Sequence, residues 1–537
     1  MKLKRAFLPC AVMAATSIFS ASASAAEARG VVYEDQNANG AREAGEPGIP
    51  GVAVSNGLQV VSTGEDGSYQ LPCGDDTILF VIKPSGWKTP YEHNGTVARF
   101  YYIHKPNGSP KGKYEGVAPT GPLPESVDFP LVRNEEPANF RMVVMGDPQP
   151  RDLRDVDFLS HDIYEELLTV PASLGASLGD LVFDGLEIYP DVIAQAGLLG
   201  IPWLHVIGNH DINFNVKNPR DSDDTYERYL GPSWYALNMG DVHFLVLNNI
   251  WWKVKERKYE GRFGEDQIEF IRNDLAQVSK DKLIVLMMHI PFQDCADYQE
   301  VIELLKPFPH TFSLSAHTHV QEHSFLPMGD AAHHHLNLMT AGGSWMRGQY
   351  DEVGIPHTTM RDGGPNGYAI MSFEGNQFSM AFKAARRPAE YQMDVWAPEQ
   401  VSVAEAAGAE VVVNYFSGNE KSVVEMRLDR DGEWTPLESY SGKAPYYERE
   451  FNRHVALLKK IAELSGKDPN NEDVLKEIGD QFSDVAGRIP PEPSDTPHLW
   501  RGKLGSSPAP GYHVIQVRAT DMWGKAHTAQ RIIRVVE

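Results

Sequence analysis

Asp, Asn, Gln and His side chains stand at the ends of apolar runs five times along this chain. Gly-Asp-Pro-Gln occupies residues 146–149 and Gly-Asp residues 179–180. Gly-Asn-His-Asp follows at 208–211, a lone histidine at 289, and Ala-His-Thr-His at 316–319. Asp147, Gln149, Asp180, Asn209, His289, His317 and His319 together offer seven oxygen or nitrogen donors, and His210 is left over. That is the inventory of a two-metal hydrolytic centre. A phosphoric ester resists water because its anionic oxygens repel a nucleophile and its alkoxide leaves poorly. Two cations about 3.5–4 Å apart answer both problems by clamping the oxygens and acidifying a water between them. Such a pair needs a bridging carboxylate, read here as Asp180. Two divalent ions set against Asp147, Asp180 and a hydroxide leave a local charge of roughly +1, which attracts a phosphate.

Short apolar runs stand at 140–145, 202–207, 242–247, 283–288 and 311–314, several of them directly before a motif, with helical patterns between them. Strands alternating with helices signal a layered α/β domain. Ahead of it, residues 30–34, 51–55, 59–62, 68–71 and 77–82 read as short strands, with Asp66-Gly67 as a hairpin signal. That pattern resembles small β-sandwiches of the carboxypeptidase-regulatory or surface-repeat B type. The polar stretch 134–139 is a linker. Beyond Arg387 the texture changes again, with strands at 393–396, 410–416, 423–428, 511–518 and 530–536. Between them Phe451, Val455, Leu458, Ile461 and Leu464 recur at helical spacing, and 473–482 continues in that style. A proline-rich loop follows at 490–497, and 521–524 is a turn.

The order of the five motifs resembles the calcineurin-like metallophosphoesterases, whose pattern reads D-x-H, G-D, G-N-H-D/E, H, G-H-x-H. The resemblance covers roughly residues 140–383; Gly-Asp or a single histidine would carry nothing alone, and the ordered set carries the reading. It implies a four-layer α/β/β/α sandwich with the ligands on loops at strand ends. It also implies that one metal takes Asp147, Gln149, Asp180 and His319, and the other Asp180, Asn209, His289 and His317. His210 then lies beside the phosphate, to protonate the leaving oxygen or stabilise the transition state. Two positions depart from the pattern: Gln149 stands for His and Ala316 for Gly. An amide oxygen suits a hard ion better than a soft one. Gln149 therefore marks either a subfamily with an oxygen-rich first site, using manganese or iron, or a degenerate site. The presence of every other ligand favours the subfamily.

Residues 1–26 have the charged start, short apolar core and small-residue end of a secretory signal peptide, with cleavage near Ala25 or Ala26. Export to the periplasm or the extracellular space follows as an expectation, and no later apolar run is long enough to span a bilayer. The chain of 537 residues carries a net charge of −24, and loss of the N-terminal cations makes the remainder more acidic still. Such a surface argues against nucleic acid as a bulk partner. With Cys10 in the leader, Cys73 and Cys295 remain as two unrelated thiols rather than a disulfide framework.

Asp35, Asn37 and Asn39, followed by Gly40 and Glu46, fit the spacing of a calcium loop. The flanks are a strand and prolines rather than helices, so a Gly/Asn turn without metal stands equally beside calcium. His333, His334 and His335 could hold another metal or line the pocket, but three neighbours cannot all point one way, and an exposed loop is expected. Loops 342–345 and 362–368 resemble substrate-side loops of secreted members of the family. His205, His243 and His323 sit in apolar or helical surroundings and read as structural.

The expectation is an α/β protein in four parts. A signal peptide (1–26) precedes an N-terminal β-sandwich (27–135), the metallophosphoesterase sandwich (136–387), and a C-terminal β-rich domain with a helical insertion (388–537). Its expected work is that of a secreted dinuclear-metal hydrolase cleaving small phosphate monoesters or diesters by a metal-bridging hydroxide. The ions are manganese, iron or zinc, with calcium a further candidate in the first domain. The rival is a catalytically weakened, phosphatase-like envelope binding protein. Oligomeric state is left open by the sequence.

Overall fold

A computed structural model describes residues 26–537; the leader sequence and Cys10 lie outside the described residues. Two mixed sheets form the middle of the chain. The first orders Trp203–Val206, Leu174–Leu178, Asn139–Met145, Gly367–Glu374 and Gln377–Ala384, its first three strands parallel and the last two antiparallel. The second orders Tyr235–Met239, Val242–Val246, Leu283–Met287, Thr311–Ser315, Ala331–Asn337 and Glu322–Met328, with antiparallel strands only at its edges. Strands such as Leu-Ile-Val-Leu-Met at 283–287 are apolar throughout because both faces are covered.

The pleat sends alternate residues of Asn139–Met145 to different partners. Phe140, Met142 and Val144 turn to the second sheet, while Val143 and Met145 meet Leu159, Ile163, Leu167 and Ala196 of the outer helices. Phe140, Phe244 and Phe373 join the two sheets, with ring centroids 4.8–6.5 Å apart. Helices Leu153–Leu159 and Tyr189–Gly197 cover the first sheet, and Glu265–Leu275 and Tyr298–Leu305 the second. The result is the expected α/β/β/α layering.

Two four-stranded sheets precede this body, one ordering Ser68–Cys73, Ala26–Glu34, Phe129–Arg133 and Trp87–Lys88, the other Val60–Ser62, Ala53–Ser55, Thr77–Val81 and Tyr101–His104. Asp66-Gly67 does form a turn, with Gly67 N donating to Gly64 O at 2.9 Å. Its flanking strands, however, pair in different sheets, so it is a crossing between sheets rather than the hairpin expected. The turn residues specify a reversal, and partner choice is set by the two apolar faces. Phe80 meets Phe270 at 5.7 Å and Phe100 meets Tyr235 at 4.9 Å, so the core of this sandwich runs into that of the middle body.

After Ala384 sheet membership changes again. Two further sheets enclose Val411, Val413, Tyr415, Trp500, Ile515, Val517 and Ile533. Helices Pro445–Leu464 and Glu472–Gln481 are inserted between their strands. Strand Thr496–Lys503, which begins inside the proline-rich loop read from sequence, lies between Glu410–Tyr415 and Glu438–Gly442. Among the described residues no helix is long and apolar enough to cross a membrane.

Candidate metal centre

All five motifs begin where a parallel strand ends: after Met145, Leu178, Val206, Met287 and Ser315. Because those strands run the same way in each sheet, their C-terminal loops converge at one edge of the sandwich, the usual place for a site in such sheets. The turns are sharp. Asp147, Gln149, Asp180, His317 and His319 all have positive φ, from 24° to 75°. Backbone crowding explains the glycines between them. A Cβ on Gly179 would lie 2.5 Å from the His289 ring, and one on Gly208 2.1 Å from Asp180 N. Ala316 is tolerated in place of glycine because its methyl faces Gly146, where a second Cβ would come within 2.9 Å of it.

The nominated donors fall into two groups. In the first, His319 Nε2 lies 3.1 Å from Gln149 Oε1 and 3.2 Å from Asp147 Oδ2. In the second, His289 Nε2 lies 3.1 Å from Asn209 Oδ1, 3.1 Å from His317 Nδ1 and 3.3 Å from Asp180 Oδ1. Asp180 joins the two, since its Oδ2 accepts from Gln149 Nε2 at 2.9 Å. The amide orientation of Gln149 follows from this network.

The proton inventory tests whether these groups suit a cation. His289 Nδ1 donates to Leu178 O at 2.8 Å, and His319 Nδ1 donates to Gly343 O. Each ring therefore carries its neutral-state proton on Nδ1 and turns a lone pair of Nε2 toward oxygen atoms that can only accept. Asp147 Oδ2 is buried with no hydrogen-bond partner. Such converging lone pairs attract a cation, a proton on Nε2 where the loops stand alone or a metal ion in its place. The residues fit. The same field acts on His289: burial disfavours its charged form, but the carboxylates of Asp180 and Asp147 outweigh this and raise its pKa to about 9. Burial likewise opposes ionisation of Asp180, yet His289 holds it well below the usual carboxylate range. Asp180, His289 and His317 place their donor atoms within 4.8 Å of one another.

His210 contacts neither group through its ring. Its backbone N–H donates to Asp180 Oδ1 at 2.9 Å, its Nδ1 lies 2.7 Å from Asp184 Oδ1, and its ring is stacked on Phe183 at 4.4 Å. Nε2 is left for a ligand. The sequence reading missed Asp184 as the partner of His210. It also missed Asp211, which accepts from Gly208, Leu181 and Val182 at 2.7–3.2 Å and so ties two motif loops together. Asn249, whose Oδ1 accepts from His289 N at 3.3 Å and Ile290 N at 3.1 Å, was missed as well. Only Asp211 stood inside a motif. Asp184 and Asn249 had no pattern to mark them.

The other nominated residues separate. Asp35, Asn37, Asn39 and Glu46 close a loop in the first domain: Asp35 accepts from Asn39 N and Gly40 N, Asn37 from Asn39 N, and Glu46 from Gln36 N and Glu43 N, at 2.8–3.2 Å. His333, His334 and His335 are not in an exposed loop. They lie in an interior strand at 0–7% exposure. His333 and His335 share Ser313 Oγ at 2.7 Å, and His334 faces the other way onto His323 at 2.9 Å. Serines on the neighbouring strand let the imidazoles be buried, which composition alone does not reveal. His243 is held by Asp274 at 2.7 Å, and His205 is buried in its strand. Loop 342–345 reaches the centre, with Trp345 packed 4.1 Å from His319. Loop 362–368 does not line it: Asp362 is buried against Gln321 N and His498 Nε2, at the joint with the C-terminal sheets. Cys73 and Cys295 are free and buried.

Three family models match the chain: the N-terminal part of calcineurin-like phosphoesterases at residues 36–115, the calcineurin-like phosphoesterase domain at 140–321, and the C-terminal part at 335–527. Comparison with curated proteins returns no match. Among solved structures, the purple acid phosphatase PPD1 isolated from yellow lupin (Lupinus luteus) seeds is 12% identical, with a TM-score of 0.34 over 67% of this chain and 67% of that one. A likeness of that size adds no argument. The domain model spans the strands and loops that carry all seven nominated donors, and the other two models continue it on both sides. The chain thus belongs to the calcineurin-like phosphoesterases and is a metal-dependent hydrolase of phosphoric esters.

Proposed function

We propose that this protein is an exported hydrolase of small phosphate monoesters or diesters, working with two metal ions held by the converging loops. The observation that carries the reading is the pair of lone-pair clusters on either side of Asp180. Asp147, Gln149, Asp180 and His319 would hold one ion, and Asp180, Asn209, His289 and His317 the other. Manganese, iron or zinc suits this mix of oxygen and imidazole donors. When bound, such a pair neutralises phosphate oxygens and acidifies a water. The chain's own residues do the rest. Asp184 and Phe183 fix the His210 ring, whose Nε2 delivers a proton to the leaving oxygen. The hydrogen bonds from Leu178 O and Gly343 O fix the tautomers of His289 and His319.

Export rests on the charged, apolar and small-residue order of the leader, and the destination is the periplasm or the extracellular space. The division at 27–135, 136–387 and 388–537 gives the chemistry to the middle part, with stability and access left to its neighbours. The central test is elemental analysis of purified protein beside turnover of phenyl phosphate and diphenyl phosphate. Two ions per chain are expected, and Asp180→Asn should lose most of both metal and activity. Near-normal turnover and two retained ions in that variant would remove Asp180 from the bridge.

A further inference from the structure

Two guanidinium groups lie beside the centre and take no part in holding it. Arg151 belongs to the loop of Asp147 and Gln149, and its Cζ is 5.0 Å from the centroid of Phe183, the ring stacked on His210. On the other flank, Arg347 Cζ is 5.4 Å from the centroid of Trp345, the ring packed on His319. Each arginine is thus linked through one aromatic ring to a histidine of the site. A guanidinium held against an aromatic face keeps N–H donors that can grip an anion.

Neither arginine has a carboxylate partner among the described residues, and Arg151 Nη2 is buried without any hydrogen bond. The acids nearest Arg151 are spent elsewhere. Asp155 binds Arg488 at 2.9 and 3.0 Å, Asp152 approaches Arg488 at 3.7 Å, and Asp484 binds Arg154 at 2.6 Å. Those bonds also clamp the C-terminal insertion over this rim, where Gly348 N donates to Arg488 O at 3.0 Å. Half-buried cations without partners are costly, and the chain has a large excess of acids with which to neutralise them. A ligand that brings its own negative charge removes that cost.

We propose that Arg151 and Arg347 receive a second anionic group of the substrate, so that the preferred substrate is a phosphoester bearing a further phosphate or carboxylate. This rests on the reading of the metal centre as a hydrolytic site. The test compares phenyl phosphate with the same ester carrying a phosphonate or a carboxylate on the ring through a methylene, which leaves the phenol's acidity nearly unchanged. Metal-loaded full-length enzyme should favour the two-anion esters about tenfold or more in kcat/KM, the size of a charge-assisted hydrogen bond. Arg151→Gln and Arg347→Gln should each shrink that ratio, chiefly through KM, and the double variant should bring it near one. Lysine at either position should restore part of it. Equal treatment of all the esters by the unaltered enzyme would overturn the proposal without any variant having to fold. Variants that lose every ester alike, with the ratio intact, would also overturn it and assign the arginines to the scissile phosphate. Failure of the metal-loaded enzyme on all these esters and on diphenyl phosphate would overturn the hydrolytic reading beneath it.

Discussion

Gln149 is the position where the centre departs from its family's pattern, and its geometry makes the departure testable. The side chain does two things at once: Oε1 faces the spot shared by His319 Nε2 and Asp147 Oδ2, while Nε2 donates to Asp180 Oδ2 at 2.9 Å. Gln149→Ala removes a donor oxygen from one group and a hydrogen bond from the shared carboxylate. Loss of a supporting bond alone costs about 10–100-fold in metal affinity. Loss of the ligand as well should weaken one ion by at least about 100-fold. Asn209, His289 and His317 make no hydrogen bond to Gln149, so the other ion loses only the supporting bond on Asp180 and should fall less, by about tenfold, the low end of that range. Dialysis against graded chelator, followed by elemental analysis, should therefore turn a single release step into two. Gln149→His should instead shift preference from manganese toward zinc or cobalt, because imidazole suits softer ions. Joint release of both ions from Gln149→Ala, or affinities unchanged in both variants, would refute this account of two groups meeting at Asp180.

The remaining expectations follow from single contacts. His210→Ala should keep its metal but lose roughly 10²–10⁴-fold in rate, and Asp184→Asn should lose less, about tenfold, because that carboxylate is 46% exposed; metal loss in either variant would make His210 a ligand. Deleting residues 27–135 strips cover from Phe270 and Tyr235, so the truncated protein should melt earlier or aggregate in a thermal scan rather than lose an active group. Burial raises Asp223 from 3.8 to about 6, against the hydrogen bond from Ser233. The folded state thus holds this proton more tightly than the unfolded one, and its stabilising effect is present below about pH 4 and lost as pH rises through about 6. Asp223→Asn should therefore raise the melting temperature at pH 7 and change it little at pH 4, as followed by circular dichroism.

Legibility in the sequence tracked how local each signal was. Strand ends at Met145, Val206, Met287 and Ser315 could be read within a residue or so, because apolar runs stop near the glycine, histidine or alanine that begins each loop. The donors could be read because hydrolytic chemistry demands particular residue types in order. Partnerships between distant segments could not. Asp184 beside His210 depends on a turn that no spacing rule encodes. The burial of His333 and His335 depends on Ser313, some twenty residues away, and the sheet crossing at Asp66-Gly67 depends on which apolar face each strand meets. Strand Thr496–Lys503 was hidden by Pro497 and the prolines just before it, a signal that only its neighbours in the sheet overrule.

The strain in the centre belongs to the same logic. Five of the seven donors sit at positive φ, a conformation that costs non-glycine residues on the order of 1–3 kcal/mol each. Nothing local favours it: these are Asp, Gln and His residues, not a run of glycines. What holds them is global. Asp211 ties three backbone N–H groups from two loops, Asn249 fixes the turn at His289, and the strands entering every loop are buried on both faces. The stability of two apolar sheets is thus partly spent in forcing lone pairs to face one another. Metal binding returns part of that energy, because a cation bonds to those donors together. A sandwich so deeply apolar is therefore what allows a centre this unfavourable to exist before its ions arrive.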